Sequence, residues 1–361
     1  MPDLLTIAQL KQVANSTPQP YAIQAQVDGA MEKQTQQGKP YFELRLTDGS
    51  ESLLWRVFDS NPAFEAVRQL PRGVVWVELS GLWEASKYGL EPKNAELRRL
   101  TPDEVHTLLQ GSEEQRLAHA ADYGEIVTRI ATVRDPRLKL LGELFLEKFG
   151  ERFRRTAAAR EYHHARRGGL VEHVAQMMRS AAALASVYPK LNLDLLIVGV
   201  LFHDCGKLWE NAYAENSFSM PYHLHGEMLG HIPLGLELVN KLWREVMDKP
   251  EAALWLQLEP STDHVRLHLL HLIAAHHGEY QFGSPVLPKT PEAIALHHID
   301  NIDAKLEMFC RGYSTSAELA PGIFERVRPL PQNLVEPLRH FPVSMSLENS
   351  ELGASEVTDE H

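Results

Sequence analysis

Cysteine is nearly absent. The chain holds two, Cys205 and Cys310, which excludes a disulfide framework and a CxxC metal knuckle, and both read as small buried apolar residues. No long uncharged apolar run occurs, so no membrane span is expected. The opening MPDLLTIAQLKQV lacks the basic start, apolar stretch and cleavage site of a secretory signal, and a cytoplasmic location is the expectation. Lys and Arg are missing after Met345, where Glu348, Glu351, Glu356, Asp359 and Glu360 collect. Internal repeats are also lacking. The net charge of -12 disfavours a partner bound chiefly through phosphates, unless the cations are concentrated locally. They are: Arg152, Arg154, Arg155, Arg160, Arg166 and Arg167 crowd one stretch. This is either a solvated face or a guide for phosphates.

The 361 residues, 44% hydrophobic and 23% charged, suit a soluble globular chain with one large domain or two. From about Tyr21 to Leu100 the pattern has period two. Tyr21, Ile23, Ala25 and Val27 alternate with polar neighbours, and GKPYFELRLTDGSESLLWRVF gives two runs around Asp48-Gly49, a hairpin turn signal. VVWVELSGLW and LEPKNAELRRL bring the number to roughly five strands, which fits a small OB-fold barrel. Arg45, Trp55, Arg56 and Tyr88, with Tyr41 and Lys87, are candidates for a face that meets single-stranded nucleic acid. Strand aromatics are more often core, so Trp55 and Trp76 weigh little singly. TPDEVHTLLQ then reads as an N-capped helix start, and RLKLLGELFLEKFGERF as a helix opened by Pro136.

The chemistry gathers at LFHDCGK. LDLLIVGVLF is too apolar for a surface helix, so it delivers His203 and Asp204 into an interior, where a carboxylate needs a cation. A lone His-Asp pair is ordinarily a helix end with a core histidine. Here His173 precedes it, and His231, His276 and Asp300 follow, each in an apolar-flanked helical segment. Imidazoles mixed with carboxylates suit manganese, with iron, cobalt, nickel or zinc as alternatives, better than magnesium. Six ligands exceed what one tetrahedral ion needs, so two divalent ions bridged by Asp204 are expected. Adjacent helical residues diverge by about 100°, which favours His276 over His277 as the ligand. Lys207 is expected to neutralise a phosphate oxygen and Asp303 to orient a ligand from behind. His163 or His164, with preference for His164, is a candidate proton donor to the leaving oxygen.

The order H, HD, H, H, D resembles the HD-domain metal-dependent phosphohydrolases over Tyr162 to about Lys305. The words HHARRGGLVEH, LFHDCGK, GEMLGHI, AAHHGEYQFGSP and HHIDNIDAK resemble, more closely, the YhaM-type 3'-to-5' exoribonucleases, which join an OB-fold to an HD domain. The residue after His-Asp departs from the pattern, being Cys205 where an aliphatic side chain is expected, and the C-terminal tail matches nothing. Gly169 one turn before His173, and GEYQFGSP after His277, set the chain apart from HD-type cyclic-dinucleotide phosphodiesterases. His231 and His276 argue against the HD triphosphohydrolases.

The resemblance implies a multidomain α+β chain, with an N-terminal OB-fold β-barrel followed by an all-α HD-domain helical bundle. The expected divisions are an extension over 1–17, the barrel over 18–110, a helical connection over 111–135, the HD domain over 136–325, and a flexible tail over 326–361 that is Pro-rich and extended, then acidic and disordered. The implied activity is metal-dependent release of 5'-mononucleotides from the 3' end of single-stranded RNA, with single-stranded DNA and a homo-oligomer left open. Arg166 and Arg167 are candidates to hold the strand. The competing readings are an HD-type phosphodiesterase or nucleotidase on small nucleotides, and a nucleic-acid-binding regulator with little catalysis.

Overall fold

Strict alternation of apolar and polar side chains shapes the N-terminal region in the computed structural model, which describes residues 2–86, 89–160 and 163–338. Lys87, Tyr88 and the acidic end of the chain lie outside the described residues. Strands β2 (Gln19–Gln34), β3 (Pro40–Thr47), β4 (Ser52–Phe58), β5 (Val75–Ser86) and β6 (Gly89–Arg99) form an antiparallel half-barrel in the order β4-β3-β2-β5-β6. A short strand β1 (Asp3–Leu5) adds to β2 in parallel. Helix α1 (Ile7–Val13), started by a Thr6 capping box, buries Ile7 and Leu10 in the same core. The segment expected as an extension thus pairs with the sheet through β1 and packs on it through α1. Between β4 and β5 lies the short helix α2 (Phe64–Arg68).

Residues adjacent on a strand point to opposite faces, and the register of β3 against β4 settles which is which. Phe42, Leu44 and Leu46 face inward with Leu53, Trp55 and Val57, and Leu44 is paired directly with Trp55. Tyr41, Arg45, Arg56 and Phe58 therefore share the outer face, where Tyr41 stacks on Phe58 at 5.3 Å. Trp55 is 1% exposed, so it cannot stack on a base, and the expectation for this residue is corrected.

Helices α3 (Pro102–Gln110) and α4 (Glu113–Ala131) follow, each opened by a capping box, at Thr101 and Ser112. Then come α5 (Pro136–Phe153), α6 (Gly169–Val187), α7 (Leu193–Phe202), α8 (Leu224–Leu229), α9 (His231–Met247), α10 (Thr262–Ala275) and α11 (Pro291–Thr315). Helix α7 is apolar all round and every residue from Leu195 to Phe202 is buried, which makes it the axis of a second core running from Ile126 to Ile299. Phe145 packs edge-on against Phe153 and Phe202 within it.

Both cores belong to one unit, Met1–Glu307, and a seam of named contacts joins them. Gln26 of β2 is fully buried, and its amide is satisfied from the helical side. Its Oε1 accepts from Ser217 Oγ (2.9 Å) and Phe218 N (2.7 Å), while its Nε2 donates to Ser219 Oγ (2.9 Å). Phe218 lies edge-on to Trp76 and covers Gly49, whose φ of +83° and lack of Cβ allow the approach. The second unit, Met308–His361, contains a small antiparallel sheet of β7 (Glu318–Ala320), β8 (Ile323–Phe324) and β9 (Leu334–Val335). Leu330 and Leu334 are buried there, so part of the Pro-rich stretch expected to be extended is folded. Cys310 is exposed rather than buried, whereas Cys205 is buried as expected. Among the described residues no helix is long and apolar enough to cross a membrane.

Because Trp55 fills the half-barrel, Trp55→Ala is expected to cost about 3–5 kcal/mol of stability, read as a lower urea midpoint in equilibrium unfolding.

Candidate metal centre

Helix α7 ends with His203 as its C-cap, and Asp204 starts the 3-10 turn Cys205–Leu208. The pair is delivered among four other helices. From α6 comes His173, from the first position of α9 His231, from the end of α10 His276, and from α11 Asp300. Gly206 makes this closeness possible, since a Cβ there would run into the carbonyl of His231.

Asp204 is 2% exposed and its two oxygens face different partners. Oδ2 lies 3.2 Å from His203 Nε2 and 3.9 Å from His173 Nε2; Oδ1 lies 3.5 Å from His231 Nε2 and 3.7 Å from His276 Nε2. His173 Nε2 is also 3.3 Å from His203 Nε2 and 3.4 Å from Asp300 Oδ1. Two donors about 2.1 Å from a shared ion stand roughly 3.0–3.5 Å apart, and four of these six spacings fall in that range. Among the described residues, Asp204 Oδ1, His231 Nε2 and His276 Nε2 are buried with no hydrogen-bond partner. Orphaned acceptors converging on one place are what a divalent cation would satisfy. All six ligands expected from the sequence are thus brought together.

His277 joins them. It groups with His231 and His276, its ring centroid 5.1 Å from the former and 4.4 Å from the latter. The divergence expected of helical neighbours does not apply, because α10 stops at Ala275 and His276 is already its cap. Every one of the five imidazoles has its Nδ1 hydrogen-bonded. His203 is held on Val200 O (2.8 Å), His276 on Ile273 O (2.7 Å), His277 on Phe282 O (2.7 Å), His173 on Asp303 Oδ2 (2.6 Å) and His231 on Glu210 Oε2 (3.1 Å). Donation from Nδ1–H leaves the Nε2 lone pair pointing inward, ready for a metal.

Other expected residues fall in different places. Lys207 Nζ binds Asp204 Oδ2 at 2.6 Å. Asp303 supports His173 from behind, as expected, and also holds His164 Nε2 at 2.9 Å. His164 thus lies beside His173, ring centroids 5.5 Å apart, with Glu172 Oε2 3.6 Å from its other nitrogen. The Nδ1 atoms of His163 and His164 are both buried without a hydrogen-bond partner, and for His163 burial, aided by the positive Lys207, pushes the pKa down to about 3. Arg166 is clamped by Glu172 and Glu307, and Arg167 donates to the carbonyls of Ala214, Ser217 and Glu215. Arg152, Arg155 and Arg160 likewise donate to the carbonyls of Leu208, Tyr213 and Glu210. Arg152, Arg155, Arg160 and Arg167 fasten residues 208–221 and Arg166 is held by two glutamates, so neither Arg166 nor Arg167 is left unpaired to guide phosphates as expected. Glu172, Glu210 and His277 were not singled out as site residues from the sequence. Glu172 and Glu210 gave no signal there, because their roles depend on tertiary pairing.

The electrostatics are those of a site built around an ion. Burial opposes the charge on Asp204, but Lys207 and His203 hold its pKa far below the usual range. Burial also disfavours charge on His173, yet Asp300 and Asp303 outweigh it and raise its pKa to about 9. A metal must displace that proton, so below about pH 9 affinity is expected to rise with pH by up to about tenfold per unit, then level off. Calorimetric titration with Mn2+ in buffers of different ionisation enthalpy checks this, and pH-independent binding without proton release would contradict it.

Residues 170–305 match the HD domain family. Two curated relatives carry the name 3'-5' exoribonuclease YhaM. One, from a Geobacillus species, is 30% identical over 296 residues, covering 81% of this chain and 84% of the relative. Another, from Oceanobacillus iheyensis, is 29% identical over 290 residues, covering 80% and 84%. With its candidate ligands inside an HD domain and this likeness extending over about four fifths of its length, the chain belongs to the YhaM exoribonuclease family.

Proposed function

We propose that the chain is a metal-dependent 3'-to-5' exoribonuclease that releases 5'-mononucleotides from single-stranded RNA at a two-ion centre. One observation carries the reading: Asp204 offers Oδ2 to one set of donors and Oδ1 to another. His173, His203 and Asp300 would complete one ion site, and His231, His276 and His277 the other. When bound, such a pair activates water near neutral pH and clamps a phosphate for in-line attack, with manganese our choice of metal. Lys207, already beside Asp204, is placed to neutralise charge developing on a phosphate oxygen. Asp303 keeps His173 in the tautomer that ligates.

The half-barrel serves, in this reading, as an OB-type strand-binding module. Its strand order and the short helix between β4 and β5 agree with that type, and its outer β3–β4 face carries Tyr41, Arg45, Arg56 and Phe58. A groove of about 460 Å³, lined by Lys11, Leu54, Arg56 and Leu90 among others, opens at the same strand. We place the boundary near Gly111, between a sheet core ending at Leu97 and a helical core starting at Ile126. The Gln26 seam would then hold the strand-binding face at a fixed distance from the metals.

Asp204→Ala is expected to lower hydrolysis at least about a hundredfold while leaving single-strand affinity within a few-fold of wild type, measured by gel ladders and by filter binding. A tenth of the activity remaining would remove Asp204 as the bridge. Direction is tested separately with 5'-labelled and 3'-labelled oligonucleotides, Mn2+ being added after chelation. Stepwise shortening from the 3' end, stalling before an internal hairpin, is the expected pattern. Internal cuts, or digestion past a blocked 3' end, would favour an endonuclease.

A further inference from the structure

The five imidazoles of the centre are not secured in the same way. His203 and His276 hook their Nδ1–H onto carbonyls three residues back in their own helices, and His277 onto the carbonyl of the turn that follows it. His231 has no such option. It is the first residue of α9, directly after Gly230, and a helix N-terminus presents N–H groups rather than carbonyls. Its acceptor comes from another segment altogether, the carboxylate of Glu210 at 3.1 Å.

Glu210 is itself fastened for this task. Its backbone N–H donates to Lys207 O at 3.1 Å, and its carbonyl accepts from Arg160 Nη2 at 2.5 Å. The same guanidinium reaches Met220 O at 3.3 Å and lies 4.2 Å from the ring centre of Tyr222. Helix α8 closes over the other side, where the place of a Cβ on Gly226 is 3.2 Å from Glu210 Cα. A partly exposed glutamate would ordinarily sample several rotamers, and here the main chain beneath it is pinned from three directions.

We propose that Glu210 is a positioning residue: by accepting from Nδ1–H it fixes the tautomer and ring plane of His231, and so sets the affinity for the ion that His231, His276 and His277 would share. This rests on the two-ion reading above. Loss of such a supporting acceptor typically weakens metal binding about 10–100-fold, and the effect falls on one ion alone. The other ion, held by His173, His203 and Asp300, depends on Asp303 instead.

The test is a Mn2+ titration of the full chain after chelation, with free Mn2+ followed by its electron paramagnetic resonance signal. Wild type is expected to bind two ions. Glu210→Ala should retain one at wild-type affinity and bind the other about 10–100-fold more weakly, as should His231→Ala. Glu210→Gln keeps an oxygen that accepts from Nδ1–H, and should restore the weak site to within a few-fold of wild type. Should Glu210→Ala melt far below wild type, Glu210→Met, which keeps the stem, replaces it with the same expectation. Two ions bound normally by the alanine or methionine variant overturn the proposal, as does an equal loss of both ions. A glutamine variant as weak as the alanine one overturns it too, because hydrogen-bond acceptance would not be the operative property. A wild type that takes up a single ion overturns the two-ion reading first, and that outcome is distinct from the others.

Discussion

A carboxylate taken out of water at the end of an apolar helix is the constraint around which the helical region is arranged. Removing such an ion from solvent costs several kcal/mol even after relaxation, and a single neutral hydrogen bond recovers only about 1 kcal/mol of that. Asp204 meets the demand with Lys207 on one side and converging imidazoles on the other. Helix α9 begins and α10 ends at a histidine aimed at this side chain, while α6 brings His173 to it from its second turn and α11 brings Asp300 to His173 from mid-helix. Gly206 belongs to the same arrangement, as the only kind of residue that lets α9 start so close to the 3-10 turn.

Cations elsewhere are spent on architecture. A chain of net charge -12 turns four arginines of its densest cluster, Arg152, Arg155, Arg160 and Arg167, onto the carbonyls of the segment that links the His-Asp motif to α8. That segment has no regular secondary structure over residues 212–223, so its main-chain oxygens need donors, and guanidiniums with five N–H groups supply them economically. Arg137 follows the same logic deeper in the core, where it is 1% exposed and bound to Asp135 and to the carbonyl of Pro260. The segment is also the one that Gln26 grips from the half-barrel, so one irregular stretch touches both cores.

The candidate ligands were legible in the sequence because each stands in an apolar helical context, a local property. Helix starts at Thr101 and Pro136, and the hairpin at Asp48-Gly49, were legible for the same reason. What was missed depended on tertiary detail. Trp55 and Arg56 were assigned to one face although strand neighbours must diverge, and only the register with β3 decides which points out. His277 was set aside on helical geometry that ends one residue too early. Glu210 carries no signature at all: a glutamate twenty-one residues from its histidine looks like any surface charge until the chain folds.

Three of the five imidazoles lean on main-chain oxygens, contributed by Val200, Ile273 and Phe282. A peptide carbonyl is present whatever amino acid the codon specifies, so point mutation cannot delete those supports; it can only move them by disturbing the backbone. The ligand geometry at these positions is therefore inherited with the fold itself. Side-chain substitutions at residues 200, 273 and 282 can drift for packing reasons without altering how the histidines are aimed.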